Sequence, residues 1–265
     1  MNTHFHIPDN SRLKDHVTMI WEVQGSKDCR ETILPKGIME IVFNFADQVD
    51  GIMPGGEKLG KAPRCFIQGI HTHVLRSDYS GSHHLLGIRL HPFCTRPLFG
   101  IRASDLNNTI LDLTLVDRNF DRLWHQLAEL HSFEEKIKLL ETSLPGLEQK
   151  ATDRSQLLSE LFLHGEAPAF QSVDGLAKQV YYSTRQQNRV TQELFGLSAE
   201  ELTIYKKFVE AVKLIHATKT SLTDIAYTAG FYDQAHFCRV FRSFTGMNPN
   251  YYKKNKSVLP FHILS

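Results

Sequence analysis

The chain has 265 residues, of which 42% are hydrophobic, with a net charge of +1 and four cysteines. That length holds one large domain or two ordinary ones, and the hydrophobic share excludes a chain disordered throughout. No 18-residue apolar run exists to span a bilayer, the start MNTHFHIP lacks the basic and apolar regions of a secretory signal, and Cys29, Cys65, Cys94 and Cys238 form no C-x-x-C pair, so a cytoplasmic protein with reduced thiols and no membrane partner is expected.

The first hundred residues read mainly as strands. In IMEIVFNF (38–45), Met39, Ile41, Phe43 and Phe45 alternate with Glu40, Val42 and Asn44. In LLGIRLHPF (85–93), Leu86, Ile88 and Leu90 alternate with Gly87, Arg89 and His91. A period of two predicts half-buried strands. CFIQGIHTHVLRS (65–77) predicts another strand, with an interruption at Gly69 as an option, and the glycine-rich GIMPGGEKLGKAP (51–63) predicts a loop. His71, His73, His83, His84 and His91 raise the question of a metal, because H-x-H on a strand puts both imidazoles on one face. No carboxylate follows until Asp78, so ordinary surface or core histidines are the favoured reading, with no metal and no cofactor. Cys65 and Cys94 read as small buried hydrophobes. Arg76 and Arg89 are candidates to anchor an anionic ligand inside a barrel, against the commoner reading as exposed strand residues. The chain has no G-x-S-x-G, no phosphate-cradling glycine loop and no H-E-x-x-H, so no catalytic residues are assigned and an enzyme is not expected.

Beyond Pro97 the period changes. Phe120, Leu123, Trp124, Leu127 and Leu130 form one helical stripe, and Phe133, Ile137, Leu140 and Leu144 a second that ends at Pro145-Gly146. The first stripe suits either a dimerisation helix or a cover for the open face of the β-region. Leu157, Leu158, Leu161 and Phe162 predict a third short helix, after which the pattern stays helical to about residue 253.

Charge divides unevenly: residues 1–166 carry −4 and residues 167–265 carry +5, as expected of a polyanion-binding module joined to something else. Within the basic part, SLTDIAYTAGF (221–231) predicts a short helix N-capped by Ser221, with Leu222, Ile225 and Ala226 inward and Gly230 at a tight turn. The next helix buries Phe237, Phe241 and Phe244 and leaves Gln234, Ala235, Arg239 and Arg242 outside, with His236 at the margin. A short helix, a glycine turn and a second helix with a polar outer face make a helix-turn-helix pattern, and such side chains reach phosphates and base edges in a major groove. SVDGLAKQVYYSTRQQNRVTQELFG (172–196) repeats it, with Ser172 as cap, Tyr181-Tyr182 at the turn, and Arg185, Asn188 and Arg189 outside. Between the two lies a helical stretch (199–218) long enough to set both reading helices about one DNA turn, near 34 Å, apart. Lys206, Lys207, Arg242, Lys253 and Lys254 are the expected backbone-holding charges.

IAYTAGFYDQAHFCRVFRSFTGMNPNYY (225–252) and LAKQVYYSTRQQNRV (176–190) resemble the C-terminal DNA-binding domain of the AraC/XylS family of bacterial transcription regulators. The resemblance covers about residues 155–255. It implies double-stranded DNA as partner, with base or phosphate contacts from Arg185, Asn188 and Arg189 in the first head and Gln234, Ala235, His236 and Arg239 in the second. The first head departs from the family pattern at Gln187 and Thr191, where packing residues are usually apolar, and at Ser198-Ala199, so either looser packing or weaker binding of its half of the site is expected there. The N-terminal region resembles the family's sensor domains more faintly.

The expectation is an α+β protein with three parts. Residues 1–150 form a β-rich, cupin-like barrel or sandwich with flanking helices, for sensing or dimerisation. Residues 151–256 form an all-α domain of two helix-turn-helix motifs joined by a linker helix, and 257–265 a tail. The function expected is sequence-specific transcription regulation, with a small-molecule effector, RNA polymerase and a second copy as further candidate partners. The alternatives are a metal-dependent β-barrel enzyme with a helical appendage, and a regulator without effector.

Overall fold

Met39–Asn44 is buried along both of its faces, which makes it a central strand between two layers rather than a half-buried one. The computed structural model describes residues 2–9, 13–46, 49–52, 58–144, 153–165 and 172–264. Strands β1 (Asn2–His6), β2 (Val17–Gly25), β3 (Cys29–Ile33), β4 (Met39–Asn44), β5 (Val49–Ile52), β6 (Lys58–Lys61), β7 (Cys65–Gln68), β8 (Leu75–Tyr79), β9 (His83–Leu90) and β10 (Ile110–Asp112) form two antiparallel sheets with β11 (His262–Leu264). The first sheet runs β1-β2-β9-β4-β7-β10 and the second β11-β3-β8-β5-β6. One face of the first sheet looks across to the second.

The other face is covered by helices α1 (Thr95–Phe99), α2 (Ala103–Leu106), α3 (Asn119–Glu129) and α4 (Phe133–Ser143), while α5 (Asp153–His164) packs beside residues 92–94 and borders the space between the sheets through Phe162 and His164. Ile41, Phe43, Leu86 and Ile88 from the strands share one core with Phe120, Leu123, Phe133 and Leu140. The Trp124 indole donates to the Asn44 carbonyl at 2.8 Å, which seats α3 on the sheet. The stripe at Phe120 therefore covers the β-domain. Under α4 the buried Lys136 ammonium pairs with Glu22 and lies 3.3 Å from His84. Burial alone would push the Glu22 carboxyl up, but Lys136 and His84 bring it below the ordinary range.

Two strand-level expectations change. Residues 51–63 are not simply a loop: β5 and β6 pair there, and a glycine-rich stretch hides its strands because it lacks alternating side chains. Residues 65–77 are not one strand either. β7 stays in the first sheet and β8 belongs to the second, so His71 and His73 lie on the crossing and share no strand face. Gly69 sits at the break because Leu106 crowds it; a Cβ there would lie 2.6 Å from the Leu106 carbonyl oxygen.

The C-terminal part is all helix: α6 (Val173–Gln179), α7 (Thr184–Phe195), α8 (Ala199–Ala217), α9 (Leu222–Thr228), α10 (Gln234–Thr245) and α11 (Pro249–Asn255). It packs directly on the β-domain. The Tyr205 hydroxyl of α8 accepts from the Gly37 amide at 2.9 Å and donates to the His71 carbonyl at 2.7 Å. Gly37 has φ +68, and a Cβ there would meet the Phe162 ring at 2.9 Å. The Asn107 amide donates to the Phe195 carbonyl at the end of α7 at 2.9 Å. The final segment is more than a tail. Phe261 is buried, its amide donates to the Tyr252 hydroxyl, and β11 pairs with β3 of the N-terminal sheet.

Candidate nucleic-acid interface

Each candidate reading helix, α7 and α10, is started by a side-chain cap and stopped by a left-handed glycine, two independent local signals. Ser183 caps α7 in a reciprocal capping box with Gln186, and Gly196 (φ 66) ends it. Asp233 caps α10, accepting from the His236 amide at 2.7 Å, and Gly246 (φ 69) ends it. The preceding short helices are capped likewise, by Ser172 (to the Gly175 amide, 3.0 Å) and by Ser221 (to the Asp224 amide, 3.1 Å). The turn between α9 and α10 runs through Gly230 at φ 84.

In the second head, Phe237 and Phe241 are wholly buried and Phe244 half-buried, and their rings meet Phe231, Phe208, Tyr205 and Tyr252. This fixes the outward face of α10. Gln234, Ala235, Arg239 and Arg242 are exposed there. Gln234 is oriented by the Thr223 hydroxyl, which donates to its Oε1 at 2.7 Å and leaves the amide nitrogen as a donor. His236 is half-buried, its ring edge-on to Phe231 at 5.4 Å, so it braces the turn as well as bordering the face.

In the first head, Arg185, Asn188 and Arg189 are also exposed on one helix. Two of them are already engaged. Asn188 Oδ1 accepts from the Ala199 amide at 2.9 Å, so it caps the start of α8. Arg189 lies 3.8 Å from Glu193, which Arg96 of the β-domain also approaches at 3.3 Å. Inside, Gln187 and Thr191 are fully buried. Counting from the caps, they occupy the places that Phe237 and Phe241 hold in α10. Both amide atoms of Gln187 lack a hydrogen-bond partner among the described residues.

The cations divide. Arg242 and Lys254 are exposed, and Lys253 donates to the Thr220 carbonyl at 2.6 Å. Lys206 does not belong to a DNA-facing surface. It is 1% exposed, donates to the Phe162 carbonyl at 2.6 Å and pairs with Glu210 at 3.0 Å. Lys207 is half-buried. The helical stripe that counts them as outward assumes a free outer face, whereas α8 is surrounded by both heads and the β-domain. Two exposed residues missed as candidates are Tyr232 (85%) and Tyr181 (83%, φ 55), in the turns before α10 and α7. A large ring beside a turn that packs nothing inside is the signal for them.

The N-terminal histidines do not converge. His71 faces Gln68 at 3.0 Å, His84 faces Glu22 at 2.8 Å, and His91 faces Ser159 at 3.1 Å. Burial pushes the His71 imidazole down to about 4. Among the described residues no group of three or more His, Cys, Asp or Glu is placed to hold a metal.

The C-terminal part is thus a helix-turn-helix domain of the AraC type, carried behind a β-rich N-terminal domain of two antiparallel sheets. Residues 176–255 match the family described as "Helix-turn-helix domain", and residues 5–112 match "Domain of unknown function (DUF6597)". A protein of Haemophilus influenzae described as an HTH-type transcriptional regulator is 27% identical over 86 residues, covering 32% of this chain and 29% of that protein's length. The HTH-type transcriptional activator AarP of Providencia stuartii is 26% identical over 102 residues, 38% of this chain and 76% of AarP. Among solved structures, ToxT from Vibrio cholerae is similar with a TM-score of 0.48 at 12% identity, covering 96% of this chain and 98% of that one.

Proposed function

We propose that the chain is a cytoplasmic, sequence-specific DNA-binding transcription regulator whose N-terminal domain senses an effector or dimerises. The observation that carries the reading is the outward face of α10. Gln234, Ala235, Arg239 and Arg242 are presented by a helix whose opposite side is locked by Phe237 and Phe241. Rigid presentation of a polar face is what base reading needs, since every rotor frozen beforehand is one fewer to freeze on binding. The names of the curated relatives, regulators and an activator, agree with it.

In this reading α10 and α7 enter successive major-groove segments. At 19 residues, α8 is about 28 Å long and sets them about one helical turn apart. Arg242 and Lys254 hold phosphates, and RNA polymerase is a further partner class. Arg239→Ala tests it by fluorescence anisotropy on a selected duplex and a scrambled one. A guanine contact predicts a loss of about 1–3 kcal/mol on the selected duplex only. Equal affinities of the two duplexes for the parent chain would refute the function, and unchanged discrimination in the variant would remove Arg239 from base reading.

A further inference from the structure

Between the two sheets lies a cavity of about 1170 Å³, larger than most small-molecule sites. Strand alternation decides its lining: β9 turns His83, Leu85 and Arg89 inward, and β4 turns Glu40 and Val42. Val42, Phe66 and Leu85 form a buried apolar patch against which Trp21 and Tyr79 pack. The Trp21 indole lies on Gly87, where a Cβ would come within 2.0 Å of the ring.

Next to this apolar wall is a charged corner with an excess of donors. Glu40, 1% exposed, accepts from Gln68 at 2.6 Å, from Trp21 at 3.1 Å and from Lys36 at 3.5 Å. Burial alone would raise its carboxyl, but Lys36, Arg89 and these hydrogen bonds hold it at about 2, so it is ionised. Arg89 Nε comes no nearer to it than 3.8 Å and has no hydrogen-bond partner among the described residues. Arg89 is thus left with a distant, shared carboxylate, and a guanidinium with an unspent donor in a cavity costs free energy until an acceptor arrives. The cavity's other buried carboxylate, Glu31, is held by His262 at 2.6 Å and Tyr79 at 3.1 Å, and Lys36 also acts on it, so Lys36 is divided between Glu31 and Glu40 while Arg89 has only Glu40. Further along β9, His83 is buried with its Nδ1 unpartnered among the described residues.

We propose that this cavity binds an organic anion with an apolar body, the anionic head pairing with Arg89 beside Lys36 and the body lying against Trp21, Val42, Phe66 and Leu85. The regulatory use of the site rests on the reading of the N-terminal domain as a sensor. Binding does not, and is measured without DNA.

The probes are anilinonaphthalene sulfonate and its uncharged parent, phenylnaphthylamine, which has the same body without the head. In Trp124→Phe protein Trp21 is the sole tryptophan, so energy transfer from it reports occupancy of this cavity. The expected result is saturable one-to-one binding with the sulfonate preferred about tenfold or more. Arg89→Met should erase that preference while phenylnaphthylamine still binds, and Arg89→Lys should keep most of it. Equal affinity of the two probes for the Trp124→Phe protein, no transfer from Trp21, or a preference that survives Arg89→Met overturns the proposal. If Arg89→Met does not fold, Leu85→Trp, which fills the apolar half, decides instead: undiminished sulfonate binding overturns it and loss supports it. A chain that discriminates the probes but binds no DNA sinks the regulator reading alone. One that binds DNA without discriminating them sinks the site alone.

Discussion

Gln187 offers a sharp test of how the first head is built. Its amide is fully buried in α7 at the place where α10 carries Phe237, and neither amide atom has a hydrogen-bond partner among the described residues. Thr191 answers its own burial by donating to the Asn188 carbonyl at 3.1 Å, a route too short for the longer Gln187. A buried polar group without partners costs about 1–3 kcal/mol. Met has nearly the same length and flexibility and no polar terminus, so Gln187→Met keeps the contacts and removes the cost. The expected gain is about 1–2 kcal/mol, or roughly 2–8 °C in Tm for a chain of this size. Urea unfolding followed by circular dichroism measures it, with an unchanged m-value as the check that only stability moved. Because Gln187 faces away from Arg185 and Arg189, affinity for specific DNA should not fall. A Met variant less stable by 1 kcal/mol or more, a scale set by ordinary hydrogen-bond losses, would mean that the amide is satisfied and the reasoning is wrong.

Acid should destabilise the fold in two stages. His71 is held neutral by burial, so its contribution drains away as pH falls from its ordinary 6.5 towards about 4. Glu40 has a depressed carboxyl, so its contribution is full above 4.5 and lost as pH falls through about 2. A pH series of denaturant midpoints should show both, and Glu40→Gln should flatten the second. Deleting 257–265 removes β11 and the Phe261 plug, so the β3 amides, Cys29–Ile33, should exchange hydrogen faster by mass spectrometry; unchanged protection would mean the strand pairing is idle. Lys206→Ala should lower stability yet leave the salt dependence of DNA binding alone, whereas Lys254→Ala should reduce its slope by about one.

The helical half was legible because its signals are local. Caps at Ser183, Ser221 and Asp233 and stops at Gly196 and Gly246 act within one turn, and the Phe237–Phe241 spacing names the inner face without reference to the rest of the chain. The β-half was legible only where alternation is strong. Arg89 was legible both as an anchor for an anion inside a barrel and as an exposed strand residue, because period two separates two faces but does not say that a second sheet covers the polar one. β5 and β6 were hidden by glycine, and β8 by a crossing that keeps an extended look. β11 pairs across more than 220 residues, and a three-residue strand carries no pattern of its own. Lys206 shows the same limit from the other side: a lysine on a helix reads as solvated until the carbonyl of Phe162 is known to await it.

A base-resolution footprint of the full chain on its best-bound duplex tests the central claim most directly. Two protected major-groove segments about 10–10.5 base pairs apart on one face of the duplex are expected. Arg239→Ala should weaken protection in one segment, and Arg185→Ala with Arg189→Ala in the other. A single protected segment, or protection that ignores sequence, would contradict it.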